Sequence, residues 1–591
     1  MSIKIKSIFQ TVLLLCLLLV VGSVKAQNVT KGTVTDTNGE PIIGATVMEK
    51  GNQQNATVTD FDGNFSLKVS GKNPIVVSYI GMKPKTVDVK GKSQVSIKLE
   101  EDNTMLNEVV KIGYMSVRKK DLTGAVSQVS GKQIEDIPVT NVTEALTGKM
   151  AGVNVTTTEG SPDAEISIRV RGGGSISQDN SPLYIVDGFE VSSINDIPSS
   201  DIETIDVLKD AASTAIYGAR GANGVIIVTT KSGKTDGSMQ INFNASFGWD
   251  KVVKEIGVMD PYNFGLYQYE LASGTQFSTE KGSYGTYSEL EQLKGIEGKD
   301  WQDMIFGRTG NQKTVDVSVA GGNKKLNYSV SYAHVDKDAI MLGSGLARNN
   351  ITAKLGATLN KWLSADFKFA LSHTKVEGLA KGTDNNESNA TNSWSNKSIR
   401  YAPINAISDD GSELDEEYST RIDPLTSVLG TSKTSKQLKH SYNFGLTWKP
   451  WKGWKFKTQF SMGWDNKDTD EAWLARANNN SKYENAGMGL TVFQTDNKKS
   501  ITNTNTITYD KKKLFFKGDK LTALLGQEWK QTKQDKSEDV YTGYASQYDT
   551  FDKLFGNTAS ASRMDPWYYT YPDDRMMSFF GQVLYIINDK Y

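Results

Sequence analysis

Few residues in this 591-residue chain combine the types and spacing that chemistry needs. The three histidines, His334, His373 and His440, are far apart and form no His-x-x-x-His pair, so they read as strand residues rather than metal ligands. The single cysteine, Cys16, lies in the apolar N-terminal run, which leaves the rest of the chain without a disulfide framework or a thiolate metal site. Asp60 and Asp62 are spaced as in a calcium loop. The further acidic positions of such a loop are missing, and Asp62-Gly63 is explained by hairpin turn geometry. The glycines of RGGGS (171–175) and GARGANG (218–224) raise the idea of a phosphate loop. No G-x-x-x-x-G-K-[ST] occurs, and the second run opens onto a strand rather than a helix, so tight backbone turns account for them. No nucleophile–base pair or metal cluster remains, so neither catalytic residues nor a cofactor are expected.

The broader composition sets further limits. A formal charge of −1 argues against a nucleic-acid partner. A mean hydropathy of −0.43, with no second long apolar run, excludes a helical membrane protein. It does not exclude a membrane barrel, whose strands show only alternate residues to lipid.

Residues 1–26 have the plan of a secretory signal: Lys4 and Lys6, an apolar run over 12–21, then small residues, with cleavage expected after Ala26. Residues 28–100 contain seven short β-prone runs, at 30–35, 45–49, 54–59, 64–69, 75–79, 86–89 and 95–99, separated by Gly and Asn/Asp turns. That spacing predicts a small β-sandwich. Residues 101–120 form a charged and polar linker around a short extended core, Leu106, Asn107, Glu108, Val109 and Val110.

Residues 121–233 read as mixed α/β. Asn141 with Glu144 three residues on predicts a helix cap with a reciprocal partner, and Leu146 and Met150 then share a face. Ile166, Ile168 and Val170 alternate as a strand carrying Arg169 and Arg171 on its other side. Asp187-Gly188 predicts a hairpin turn between 183–186 and 189–191. A strand over 205–208, a short helix over 211–217 ending at Tyr217, and a β-branched strand over 225–230 complete the segment.

From residue 239 the pattern becomes period-two. Ten such runs occur, at 241–249, 315–319, 326–332, 351–359, 363–371, 442–448, 454–464, 501–509, 521–529 and 579–587. The longer runs have about ten residues, the length for crossing a bilayer at a tilt. Short connections (321–325, 360–362, 450–454 and near 511–520) alternate with longer ones (251–312, 337–348, 376–437, 466–499 and 534–576). Trp362, Trp448, Trp451 and Trp454 flank the short turns, while Trp249, Trp464 and Trp529 lie toward the long loops, as in two interfacial girdles.

Two strings carry a family resemblance. PLYIVDG followed by DIETIDVLKDAASTAIYGARGANGVIIVTT and a Lys-rich exit resembles the plug of the SusC/RagA-type TonB-dependent outer-membrane transporters. GTVTDTNGEPIIGATV with TDFDGNFSLKV resembles the carboxypeptidase-regulatory-like domain. The resemblance covers almost the whole chain. It implies a mainly β protein: signal peptide, carboxypeptidase-regulatory-like sandwich (28–100), linker with a TonB box (101–120), plug (121–233) and wall of a transmembrane β-barrel (239–591).

The function it implies is active import across the outer membrane, with Leu106 to Val110 pairing edge-on with TonB and its energising complex. A SusD-like surface lipoprotein lid and an oligosaccharide or oligopeptide cargo are implied too. In the plug, Arg169, Arg171 and Arg220 are expected either to pair with acids inside the barrel or to form salt bridges within the plug, and Asp187, Gly188, Tyr217, Gly218, Gly221 and Gly224 to form its charges and turns. The competing readings are a siderophore or cobalamin receptor of the same fold, and an outer-membrane binding or adhesion protein without transport.

Geometry bears on the wall. Ten strands about 4.8 Å apart and tilted about 40° close at a radius of roughly 10 Å. A plug of about 110 residues makes a sphere of roughly 17 Å, whereas a barrel of about 22 strands reaches roughly 22 Å. The expectation is an incomplete wall of about ten strands in a chain truncated at its C-terminal end.

Overall fold

The computed structural model describes residues 28–587, less 38, 51, 70–72, 80–81, 90–93, 101–108, 113–114, 119–124, 136, 138–140, 158–165, 177–178, 274–289, 379–393, 405–421, 479–486 and 517. The expected signal, together with Leu106, Asn107 and Glu108, lies outside the described residues. The chain forms two compact units, Met1–Val110 with Ser116–Leu122, and Lys111–Met115 with Thr123–Tyr591.

The first unit is built from the seven runs that its turns separate: β1 (Asn28–Thr35), β2 (Thr46–Glu49), β3 (Asn52–Val58), β4 (Asn64–Val69), β5 (Ile75–Ser78), β6 (Lys85–Val87) and β7 (Gln94–Lys98). They form two sheets, ordered β4-β1-β7 and β3-β2-β5-β6. Val34, Val47, Phe65, Leu67, Ile75, Val77 and Ile97 share one core. The Asp60 carboxylate accepts from the backbone N–H groups of Asp62 and Asn64, and Gly63 has φ +73°, so these acids belong to a turn. Beyond the sandwich, β8 (Val109–Ile112) and β9 (Met115–Arg118) form a two-stranded ribbon.

The plug segment contains β10 (Val126–Ser130), β11 (Val153–Thr157), β12 (Ile166–Val170), β13 (Leu183–Val186), β14 (Phe189–Val191), β15 (Ile202–Leu208) and β16 (Val225–Thr230). Its main sheet runs β10-β15-β16-β13-β14, with β11–β12 as a separate hairpin. All six residues of the central β16 are buried, the reason that run is uninterruptedly β-branched and apolar up to its last two threonines. Ile134, Leu146, Ile168, Ile194, Ile205 and Ile226 pack in the core. The helix after Asn141 is shorter than its cap suggests: a single turn, Val142–Ala145, in which Asn141 accepts from the Thr143 N–H. Leu146 and Met150 are buried beyond its end. The 211–217 helix likewise gives way after Thr214 to a 3₁₀ segment, Ala215–Gly221, broken at Gly218 (φ 59°, ψ −146°), a conformation that only glycine adopts without strain.

The wall strands are β17 (Met239–Asp250), β18 (Gly310–Gly322), β19 (Leu326–Asp338), β20 (Gly345–Thr358), β21 (Leu363–Glu377), β22 (Thr431–Trp448), β23 (Trp454–Trp473), β24 (Gly489–Lys512), β25 (Asp519–Tyr544), β26 (Ser562–Arg563), β27 (Trp567–Thr570) and β28 (Asp574–Ile587). Each of β17 to β25 pairs antiparallel with the next, and β26, β27 and β28 all pair along β25. The sheet is open among the described residues, with no pairing between β17 and β28. Its ten long strands fall where the alternation placed them, but several are far longer: β24 has 24 residues and β25 has 26. Apolar alternation marks only the part that an apolar environment would cover. Beyond it the ladder continues through polar sequence such as KDTDE in β23 and KQDKSED in β25, and the connection expected over 466–499 shrinks to the stretch between Trp473 and Gly489.

One face of the sheet is apolar and exposed, with Phe243, Ile351, Leu355, Phe367, Phe444, Phe460 and Leu525 among its residues. The opposite face carries Ser331, Lys354, Lys368, Asn443 and Glu528. Trp362, Trp448, Trp451 and Trp454 are exposed beside the short turns. Among the described residues no helix is long and apolar enough to cross a membrane, which says nothing about crossing by strands.

Candidate functional site: the plug–wall interface

The Asp187-Gly188 turn sets the tip of the β13–β14 hairpin. Both residues take positive φ, 53° and 95°, the pairing a two-residue hairpin turn requires and that Asp-Gly tolerates. The turn delivers the Asp187 carboxylate to the wall. There it meets Lys368 of β21 at 2.5 Å and Lys354 of β20 at 3.2 Å, all three side chains being only 14–15% exposed. The Thr230 N–H and hydroxyl also donate to it, at 3.0 and 2.7 Å. Lys354 donates to the Thr230 carbonyl oxygen at 2.8 Å. Burial pushes this carboxyl upward, but the two ammonium groups and the hydrogen bonds from Lys368 and Thr230 outweigh it and hold the group well below the usual carboxylate range.

A second set of charges lies along β25. Arg220 bonds Glu190 of the plug at 2.5 Å and Glu528 of the wall at 3.0 Å. Lys530, two residues along β25, bonds Glu190 at 3.0 Å. A plug acid and base thus face a wall base and acid in alternation. A third set joins Asp196 to Lys439 of β22, while Arg348 donates to the Asn195 carbonyl at 2.8 Å and Asn350 to that of Asp196 at 3.0 Å. Ser331 of β19 donates to buried Asp201 at 2.9 Å. Burial raises the Asp201 carboxyl, against the hydrogen bonds from Ser331 and Thr352. Beside the hairpin lies a cavity of about 300 Å³ whose lining includes Phe189, Glu190, Lys439, Asp465, Lys498 and Lys530.

The residues singled out from sequence distribute unevenly over this interface. Of the three plug arginines, Arg220 reaches a wall acid. Arg169 and Arg171 are exposed, and no ion pair links either to the wall among the described residues. Arg171 instead has φ 59° at the end of β12, near Lys209. Tyr217 is buried. A Cβ on Gly221 would stand 3.0 Å from the Thr214 carbonyl oxygen, and one on Gly224 (φ +89°) 2.9 Å from Val170 Cβ. Val109 and Val110 lie in β8.

Sequence reading assigned the cations to the plug. The structure gives most of them to the wall, where Lys354, Lys368, Lys439 and Lys530 receive Asp187, Asp196 and Glu190. The available signal was a lysine at an inward position of a period-two strand, as at Lys354 and Lys368. The histidines lie in β19, β21 and β22, where His440 stacks on Trp464 at 4.9 Å. Among the described residues no group of His, Cys, Asp or Glu could hold a metal ion.

Comparison with known proteins agrees with this architecture. The TonB-dependent Receptor Plug Domain family matches residues 118–225, and the CarboxypepD_reg-like domain family residues 30–111. The TonB-dependent receptor SusC of Bacteroides thetaiotaomicron is 38% identical over 340 residues, covering 56% of this chain and 32% of that protein. The TonB-dependent receptor P26 of Formosa agariphila is 32% identical over 570 residues, covering 95% of this chain and 54% of that protein.

The chain is a homologue of the SusC-type TonB-dependent receptors.

Among solved structures, the RagAB peptide importer in its open-open state superposes on this receptor homologue with a TM-score of 0.63 at 24% identity, covering 81% of this chain and 55% of that one. That likeness bears on the fold. The chain spans about half the length, or less, of the curated relatives it matches.

Proposed function

We propose that this receptor homologue acts in TonB-driven import across the outer membrane, exported by a signal in residues 1–26. The observation carrying this reading is the ionic seating of the plug. Asp187, Glu190 and Asp196 are tied to four wall lysines, and a path for cargo requires that these contacts break. Each lysine left without its counterion costs about 3–5 kcal/mol for as long as it stays largely buried. Thermal motion rarely supplies several such steps at once, so opening calls for work from outside. Leu106 to Val110 precede the plug and suit edge-on pairing with a periplasmic partner strand, which passes that work to the plug. A SusD-like surface lipoprotein would present the cargo. Family resemblance points to an oligosaccharide, and the RagAB structure, named as a peptide importer, makes oligopeptide the competitor.

The test is deletion of residues 106–110 in cells expressing the chain. Uptake of labelled cargo should fall to background while surface binding persists. Unchanged uptake would leave a binding or adhesion protein instead. Membrane placement has its own check. Phe460 is on the exposed apolar face, six residues along β23 from its start at Trp454. Phe460→Arg should cost about 2–4 kcal/mol of insertion, read as loss of the heat-modifiable form from outer-membrane fractions.

A further inference from the structure

We propose that Lys499, Lys533 and Arg575 form a site on the outward face of the wall for the phosphate of an acylated lipid, in the leaflet nearer the long loops. The proposal rests on the reading of the wall as membrane-spanning and places one lipid on it. Lys499 of β24 and Lys533 of β25 are directly opposite each other in the antiparallel register. Side chains so placed share a face and start about 5 Å apart, where like charges repel.

The wall shows what satisfies such a pair. Lys354 and Lys368 oppose each other in the same way on the inner face, and the Asp187 carboxylate bonds both, at 3.2 and 2.5 Å. Lys375 and Lys436, opposed on the outward face of β21 and β22, have acids beside them: Glu377 bonds Lys375, and Asp468 stands opposite Lys436. Lys499 and Lys533 are less well matched. Lys533 lies 3.6 Å from Asp573, whose carboxylate already accepts from Arg575 at 2.8 Å and from Gln531 at 2.8 Å. Lys499 rests 5.4 Å from the centroid of the Trp464 ring, and among the described residues no carboxylate pairs with it. Asp535, the next outward acid along β25, accepts from the Tyr568 hydroxyl at 3.4 Å. Arg575 is opposite Gln531, one outward position from Lys533, so the three cations share one face. All three are exposed.

Their height on the wall argues for a lipid. Ile501 follows Lys499 at the next outward position, and Met577 and Phe579 follow Arg575, 62% and 75% exposed. In the other direction the outward positions turn polar, at Asn497, Asp535 and Thr570. The cations therefore stand where the apolar face ends. A phosphate offers several acceptor oxygens and at least one negative charge, which a guanidinium fork and two ammonium groups can share. Acyl chains attached to it would run down Ile501, Met577 and Phe579, a contact that a free anion lacks.

The experiment uses the purified full chain in detergent, titrated with three probes: dilauroyl phosphatidic acid, dilauroylglycerol (the same chains without phosphate) and inorganic phosphate. Native mass spectrometry reads the first bound molecule. Phosphatidic acid should bind, more weakly as salt rises. Lys499→Gln with Lys533→Gln should weaken it about thirtyfold, and Lys499→Arg with Lys533→Arg should preserve it. Lys375→Gln with Lys436→Gln removes the same charge from the same face and should leave it unchanged. Because the opposed lysines repel, Lys499→Gln should keep or raise the thermal midpoint in lipid-free detergent, which separates a lost site from a misfolded variant. The proposal is overturned if dilauroylglycerol or inorganic phosphate binds as tightly as phosphatidic acid, if both glutamine doubles weaken binding equally, or if Lys499→Gln lowers the lipid-free midpoint. Phe460→Arg tests the membrane placement on which the site rests, and deletion of 106–110 tests import, so failure of either is distinct from failure of the site.

Discussion

Asp187→Asn is expected to release the plug hairpin from the wall at a cost of about 3–5 kcal/mol, because it leaves the largely buried ammonium groups of Lys354 and Lys368 without their counterion. Asparagine tolerates the left-handed conformation of position 187, so the turn itself survives and the effect isolates charge. In the purified chain, the urea midpoint for protease access to residues 183–230 should fall by about 1 M or more. Adding Lys354→Met and Lys368→Met to Asp187→Asn should recover most of the loss, since the unpaired charges are then gone. A triple variant as weak as the single one would mean that the cost is steric.

The acid dependence follows from the same site. The folded Asp187 carboxyl is held below its ordinary value, so its contribution is complete above the unfolded pKa of about 4 and is lost only as pH falls through the lower folded value. Lowering the pH from 7 to about 4 should therefore leave this contact intact.

Gly224→Val should prevent the plug from assembling while sparing the wall. The residue has φ +89°, and any Cβ there would stand 2.9–3.1 Å from three carbons of Val170. Backbone strain and overpacking together amount to roughly 3–5 kcal/mol, and a β-branched residue suffers both in full. The hairpin β11–β12 would lose its seat against β16. The expected readout is rapid proteolysis within residues 141–230, with the heat-modifiable wall retained. Gly218→Ala makes a useful comparison. That position is strained for any side chain but has open space around it, so its penalty is the backbone share alone.

The contrast between strand positions and strand lengths shows what sequence carries. Period-two alternation located all ten long wall strands because each buries one face and exposes the other. It could not find their outer thirds. In KDTDE and KQDKSED both faces are polar, and pairing there is fixed by the neighbouring strand rather than by burial. Short helices failed too. The Asn141 cap is real, yet the helix lasts one turn and the chain turns away at Gly148, whose φ is +69°.

At the site, Asp187 was legible as a turn residue and illegible as an anchor, since its partners lie 167 and 181 residues away in strands whose inward faces looked merely polar. Arg220 stood out because arginine among glycines is conspicuous. Glu190 and Lys530, which share its network, did not.

The division of charge across the interface also bears on what the wall presents once the plug hairpin leaves it. With the hairpin withdrawn, Lys354, Lys368 and Lys439 would lose the plug carboxylates of Asp187 and Asp196, while Lys530 would keep Glu528, freed from Arg220, two residues along the same strand. That inner face would then be more positive than when the plug is seated, and would draw anionic groups more strongly.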